Sequence, residues 1–173
     1  MLKELLIPVL LTYHGHTVDI QDIDPNYVTQ EVSCLATNVY HEARNQGAAG
    51  QLAVASVTLN RVLDTRFPDT VCGVTQQGIH RPSWKGTGEM IPIRYKCQFS
   101  WYCDGLSDAI QDQESYDEIY VLSELLFTGA MTMVDITEGA THYHADYVLP
   151  DWASTKTKTT EIQDHIFYRW EKQ

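Results

Sequence analysis

The sequence predicts a single helix-rich α+β domain. Two stretches in the first third repeat apolar residues at helical spacing, and a third does so after Ser115. The C-terminal third instead gathers β-forming residues into short clusters, Thr141-His142-Tyr143-His144 and Ile166-Phe167-Tyr168-Arg169-Trp170. With 173 residues, 43% of them apolar and 20% charged, the chain is long enough for one core.

The first helix starts at Asp24-Pro25, an N-cap residue followed by a proline in the first turn. Val32, Leu35, Ala36, Val39, Tyr40 and Ala43 carry its apolar stripe to about Arg44, and Gly47 ends it. A second helix is expected from Ala48 to Leu63, with Leu52, Ala55, Leu59 and Val62 inward, stopped by Arg66-Phe67-Pro68-Asp69. Residues 73 to 96 read as loop, punctuated by Gly73, Gly78, Pro82, Gly86, Gly88 and Pro92, and they are the basic part of the chain through Arg81, Lys85, Arg94 and Lys96. Ser115-Tyr116-Asp117-Glu118 fits a capping box for a helix running through Ile119, Leu122, Leu126 and Phe127 to Gly129.

Charge is unevenly spread. The net charge is −11, and from Cys97 to Thr155 there are eleven acids and no Lys or Arg. Such a surface repels phosphate backbones, which excludes a nucleic-acid partner. No stretch approaches the ~18 apolar residues that cross a bilayer, so membrane insertion is not expected. The short apolar run in Met1–Tyr13, broken by Pro8, lacks the long core and cleavage site of a secretory signal. Cys34, Cys72, Cys97 and Cys103 permit three pairings; free thiols and one or two bridges both remain open.

The position with most chemical promise is Glu42. On a helical wheel measured from Val32, the apolar positions cluster within roughly 60° and Glu42 falls about 80° to one side, with His41 opposite. A carboxyl on the shoulder of a buried stripe is partly desolvated, and the helix C-terminus disfavours its charge. Both effects favour the protonated form that a general acid needs.

Tyr40-His41-Glu42-Ala43-Arg44, Gly50-Gln51-Leu52-Ala53-Val54-Ala55, Leu59-Asn60-Arg61-Val62 and Phe67-Pro68-Asp69-Thr70 resemble the cell wall hydrolase family typified by spore cortex-lytic enzymes, the SleB/CwlJ type. Cys97-Gln98-Phe99-Ser100-Trp101, Cys103-Asp104-Gly105, Gly139-Ala140-Thr141-His142-Tyr143-His144, Pro150-Asp151-Trp152 and His165-Ile166-Phe167-Tyr168-Arg169 resemble its later blocks. The resemblance implies a lysozyme-like, lytic-transglycosylase-related catalytic domain over residues 31–173, with residues 1–30 as an N-terminal extension. It implies cleavage of peptidoglycan glycan strands between MurNAc and GlcNAc by a monomer without metal or cofactor, with Glu42 as catalytic acid and base. Gln98, Ser100, Trp101, Tyr143, His144 and Trp152 are the matching glycan-contacting positions. A hydrolytic route would need a second carboxylate, for which Asp104 and the acids after it are candidates.

Two other readings are carried forward. A His-x-His pair, His142 and His144, with a distant His165, is the ligand pattern of a zinc amidase or peptidase. A non-catalytic wall-binding module would keep the cleft alone. A small domain of this kind suits a phage or prophage endolysin or a bacterial housekeeping enzyme. Segment 78–96 is longer than the corresponding link in the family, either as an insertion that brings Trp84 and bases to the cleft lip or as a mobile loop.

Overall fold

The computed structural model describes residues 10–13, 16–19, 23–131 and 134–171. Most of the Met1–Tyr13 segment considered above as an export signal lies outside the described residues. Strands β1 (Leu10–Tyr13) and β2 (His16–Asp19) pair antiparallel.

Helix α1 (Pro25–Ala43) begins where the sequence places it, the Asp24 carboxylate accepting from the Asn26 backbone N–H at 2.9 Å. It passes through residues 30 and 31 without a break, so the expected boundary between extension and catalytic domain falls inside one helix. Leu35, Ala36, Val39, Tyr40 and Ala43 are fully buried along one stripe. Each large side chain removed from water in this way contributes roughly 1.5–3 kcal/mol. Tyr40 also carries a polar handle inward: its hydroxyl accepts the backbone N–H groups of Gln111 and Asp112, at 3.1 and 3.0 Å, tying α1 to the start of α4 (Gln113–Phe127).

Helix α2 (Ala48–Val62) corrects the expectation of one inner face. Ala53, Val54, Ala55 and Val57 are all at zero exposure, whereas Leu52, Leu59 and Val62 are only partly buried. The helix is central: Val54 and Ala55 pack with α1, α4 and α3 (Val71–Thr75), while Ala53 and Val57 pack with Phe167 of the C-terminal sheet and with Ala140 in the loop that leads into it. A helix covered on two sides loses its amphipathic signature.

The 73–96 segment is also corrected. It contains the end of α3, capped by the Thr70 hydroxyl accepting from Gly73 N–H at 3.0 Å, and an antiparallel hairpin of β3 (Gly78–Pro82) and β4 (Met90–Cys97). Its prolines sit in a two-stranded ribbon, where a missing backbone donor is tolerated. A 3₁₀ turn, Ser100–Cys103, follows. The α4 cap is Asp112 rather than Ser115; the Asp112 carboxylate accepts from Ser115 N–H and Oγ–H at 3.1 and 2.6 Å. Gly129, at φ 70°, takes the left-handed position expected after the helix.

The remaining sheet has order β5–β7–β6, all antiparallel, from β5 (His142–Ala145), β6 (Thr157–Ile162) and β7 (His165–Arg169); a 3₁₀ turn, Asp151–Thr155, precedes β6. Two disulfides decide the cysteine question. Cys34–Cys72 joins α1 to α3, and Cys97–Cys103 closes the base of the hairpin. A cross-link closing a loop of the size of the first stabilises a domain by about 4 kcal/mol.

Candidate active site

Three elements converge on one carboxyl. Asn38 Nδ2 donates to Thr58 Oγ1 at 3.0 Å, which fixes where α1 and α2 meet. Glu42 lies about one turn beyond Asn38, and Arg61 about one turn beyond Thr58. Long helical side chains lean back toward the N-terminus of their own helix, so both reach toward that contact. The third element is β5: Tyr143 Oη donates to Glu42 Oε2 at 2.7 Å. Tyr143 is aimed there by register, since it stands opposite Phe167 on the sheet face that packs on α2.

Burial pushes the Glu42 carboxyl above its ordinary range; the Tyr143 hydrogen bond and the Arg61 charge pull it partly back. Burial and the neighbouring carboxylate drive the Tyr143 phenol well above its usual value, so it remains a donor. Arg61 is 4% exposed, its Nε donates to the Thr141 carbonyl at 2.7 Å, and its guanidinium lies over the Phe99 and Phe67 rings at 4.9 and 5.3 Å. Its Nη1 is buried with no hydrogen-bond partner among the described residues. Among the described residues no carboxylate is among the groups that shift Glu42. Asp104 acts elsewhere, accepting Leu106 N–H at 2.7 Å and biasing His41.

The 98–101 segment straddles this centre. Phe99 is buried beneath Arg61, and Gln98 and Ser100 on either side of it are exposed. Trp101 is half-buried; its indole N–H donates to Asn38 Oδ1 at 2.8 Å and its ring stacks on His41 at 4.8 Å. Asn38 and Arg61 carry no site role in the sequence pattern alone. The signal for Arg61 is a charge continuing the buried positions Val54, Val57 and Thr58 of α2 at helical spacing.

His144 and Trp152 are not brought to Glu42. Residues alternate across a strand, so His142 and His144 face away from Tyr143 and meet Trp152 and Tyr168 on the other side of the sheet. His144 is 7% exposed and both ring nitrogens are engaged, Nε2 with Tyr168 Oη at 3.0 Å and Nδ1 with the Ala145 carbonyl at 2.9 Å. His165 pairs with Ala145 and lies against the Tyr143 ring, on the opposite face from the other two. The three histidines therefore do not converge. Among the described residues, one cavity of about 400 Å³ is lined by Asn60, Arg66, Thr141 and Trp170 and another of about 600 Å³ by Pro150, Asp151 and Tyr168, and Glu42 lines neither.

Burial, with Arg61, Lys156 and Arg66 nearby, lowers the His142 pKa from 6.5 to about 3. The unfolded ring takes a proton from about 6.5 downward while the folded ring refuses it, so stability declines as pH falls through that window. Urea midpoints should fall accordingly, and His142→Phe should flatten the decline; an unchanged slope would count against the assignment.

The Cell Wall Hydrolase family matches residues 45–168, beginning just beyond Glu42. A spore cortex-lytic enzyme of Oceanobacillus iheyensis is 43% identical over 53 residues, 31% of this chain and 19% of that protein. One from Halalkalibacterium halodurans is 26% identical over 147 residues, 84% of this chain and 37% of that protein. The chain thus spans between about a fifth and two fifths of the length of these relatives. Among solved structures, the catalytic domain of the germination-specific lytic transglycosylase SleB from Bacillus anthracis is similar with a TM-score of 0.59 and 25% identity, over 85% of this chain and all of that one. The catalytic domain of Bacillus cereus SleB is similar with a TM-score of 0.56 and 25% identity, over 85% of this chain and 95% of that one.

Proposed function

The chain belongs to the Cell Wall Hydrolase family, and on that premise we propose that it cleaves peptidoglycan glycan strands between MurNAc and GlcNAc with Glu42 as the general acid and base. The observation that carries the reading is the Glu42 carboxyl itself, desolvated, biased toward its protonated form and held by the Tyr143 hydroxyl. A carboxyl whose hold on its proton is strengthened by burial is what protonation of a glycosidic oxygen requires.

In the forward step Glu42 gives its proton to the bridging oxygen, the MurNAc C1–O bond breaks, and positive charge gathers on the sugar ring. The 6-hydroxyl of the same MurNAc then attacks C1 and returns its proton to the Glu42 carboxylate. A 1,6-anhydro end forms, water is not consumed, and the acid is restored. One carboxyl suffices for this sequence, and the groups that bias Glu42 are the cation Arg61 and the phenol Tyr143. Arg61 stabilises the carboxylate in the interval between losing and regaining the proton. Gln98 and Ser100 supply hydrogen bonds to N-acetyl and hydroxyl groups, and the open part of Trp101 offers an apolar surface to the C–H face of a pyranose.

Mass spectrometry of muropeptides released from purified sacculi tests the proposal. Products one water lighter than hydrolytic fragments are expected. Reducing ends would replace transglycosylation by hydrolysis, and free stem peptides would overturn glycan cleavage altogether.

A further inference from the structure

Residues 78–97 carry four of the chain's twelve bases, Arg81, Lys85, Arg94 and Lys96, and one of its 23 acids. All four bases are exposed on the β3–β4 hairpin, in a chain whose net charge is −11. The ribbon is attached to the body through the Cys97–Cys103 bridge and the adjoining 3₁₀ turn, and it forms a two-stranded sheet of its own. Its aromatic side chains point outward: Trp84 at the tip is 85% exposed and Tyr95 67%.

The Tyr95 end is built rather than slack. Pairing shifts between Gly78 and His80, so β4 bulges, and Tyr95 adopts φ 61°, a left-handed conformation that a bulky residue seldom takes. Bulges re-aim side chains, and here the ring turns to solvent. Arg94 beside it is pinned by its Nε donating to the Asp104 carbonyl at 2.7 Å, which sets the guanidinium 4.7 Å from the centre of the Tyr95 ring. The outcome is a pre-ordered cation on an aromatic face at one end and Lys85 beside an open indole at the other.

We infer that the β3–β4 hairpin is a docking arm for intact peptidoglycan, its bases meeting the free carboxylates of stem peptides and its Trp84 and Tyr95 rings lying on sugar faces. This rests on the peptidoglycan reading of the Glu42 site. It explains how a strongly acidic chain approaches an anionic polymer: contact is made through the segment whose sign is opposite. An anionic membrane is the less suitable partner, because the tip, Ser83-Trp84-Lys85-Gly86-Thr87-Gly88-Glu89, offers a lone aromatic among polar residues and glycines rather than an apolar wedge.

The test is co-sedimentation of the full chain with purified sacculi, in a Glu42→Gln background so that the wall is not consumed. Adding Trp84→Ala, Lys85→Glu and Lys96→Glu should weaken binding by on the order of tenfold and reduce its sensitivity to salt. In the chain with Glu42 intact, the three changes should leave cleavage of a soluble, uncrosslinked glycan fragment unchanged. Sacculus binding that survives the triple change with the fold intact would overturn the docking arm. So would capture by phosphatidylglycerol vesicles in place of sacculi. Failure of the unaltered chain to release any muropeptide would count against the Glu42 reading instead, because the binding assay does not depend on turnover.

Discussion

Glu42→Gln is expected to lower muropeptide release by about a thousandfold or more while raising the melting temperature at neutral pH. The first effect follows from removing the only proton donor that the proposed mechanism uses, since a positioned general acid supplies roughly 10²–10⁴ in rate and here the same group also acts as base. The second follows from linkage. Burial raises the Glu42 pKa in the folded state, so the folded chain holds that proton more tightly than the unfolded one. The stability this confers is complete below the ordinary carboxyl range and is lost as pH rises through the folded value. At neutral pH, above the ordinary carboxyl range, the raised pKa is thus a cost to the fold, and a neutral amide of the same shape relieves it. For a domain of this size each kcal/mol recovered raises Tm by about 2–4 °C. Chromatography of soluble muropeptides and a thermal melt of the same preparation check both halves. A variant that remains folded and lytic would remove Glu42 from the mechanism.

The position of that carboxyl is legible in the sequence because it depends on one helix. Asp24-Pro25 marks the start of α1, the stripe from Val32 to Ala43 fixes its phase, and Glu42 then has a defined place on the shoulder of the buried face. What depends on partners distant in sequence could not be read. The second buried face of α2 exists because Ala140 and Phe167, over eighty positions later, close over Ala53 and Val57. Cys34 selects Cys72 only once α3 is packed against α1. Strand β6, Thr157-Lys158-Thr159-Thr160-Glu161-Ile162, is a polar edge strand with little alternation, and it is defined by pairing with β7. The same limit applies within the site. Tyr143, His144 and Trp152 are close in sequence and chemically alike as sugar-binding groups, yet the two-residue period of β5 sends Tyr143 to Glu42 and His144 to the far face with Trp152. The bulged hairpin was hidden for another reason: its glycines and prolines signal interruption, while Gly78–Pro82 and Met90–Cys97 pair across a register shift that no alternation announces.

Arg61→Gln should reduce kcat by about a hundredfold, the scale of losing one charge-stabilising donor in a dry site, and should shift the alkaline limb of the pH–rate profile upward. The sign is set by the role of the cation. Arg61 pulls the Glu42 pKa down against burial, so its removal leaves the carboxyl protonated to higher pH, and the acid form required for the first step persists further into the alkaline range. The rate nevertheless falls at every pH, because the carboxylate produced by that step has lost its nearest positive charge. Arg61→Lys restores the charge without the fork that reaches the Thr141 carbonyl, so its limb should return toward the native position even where its stability does not. A purely structural arginine would give the reverse pattern, with both variants losing stability and neither moving the limb. A further signature lies on the opposite sheet face: Arg61 is among the cations that lower the His142 pKa, so the glutamine variant should protonate that imidazole at higher pH, visible in its ring resonances by NMR. An unshifted alkaline limb in a folded Arg61→Gln protein would confine Arg61 to holding β5 against α2.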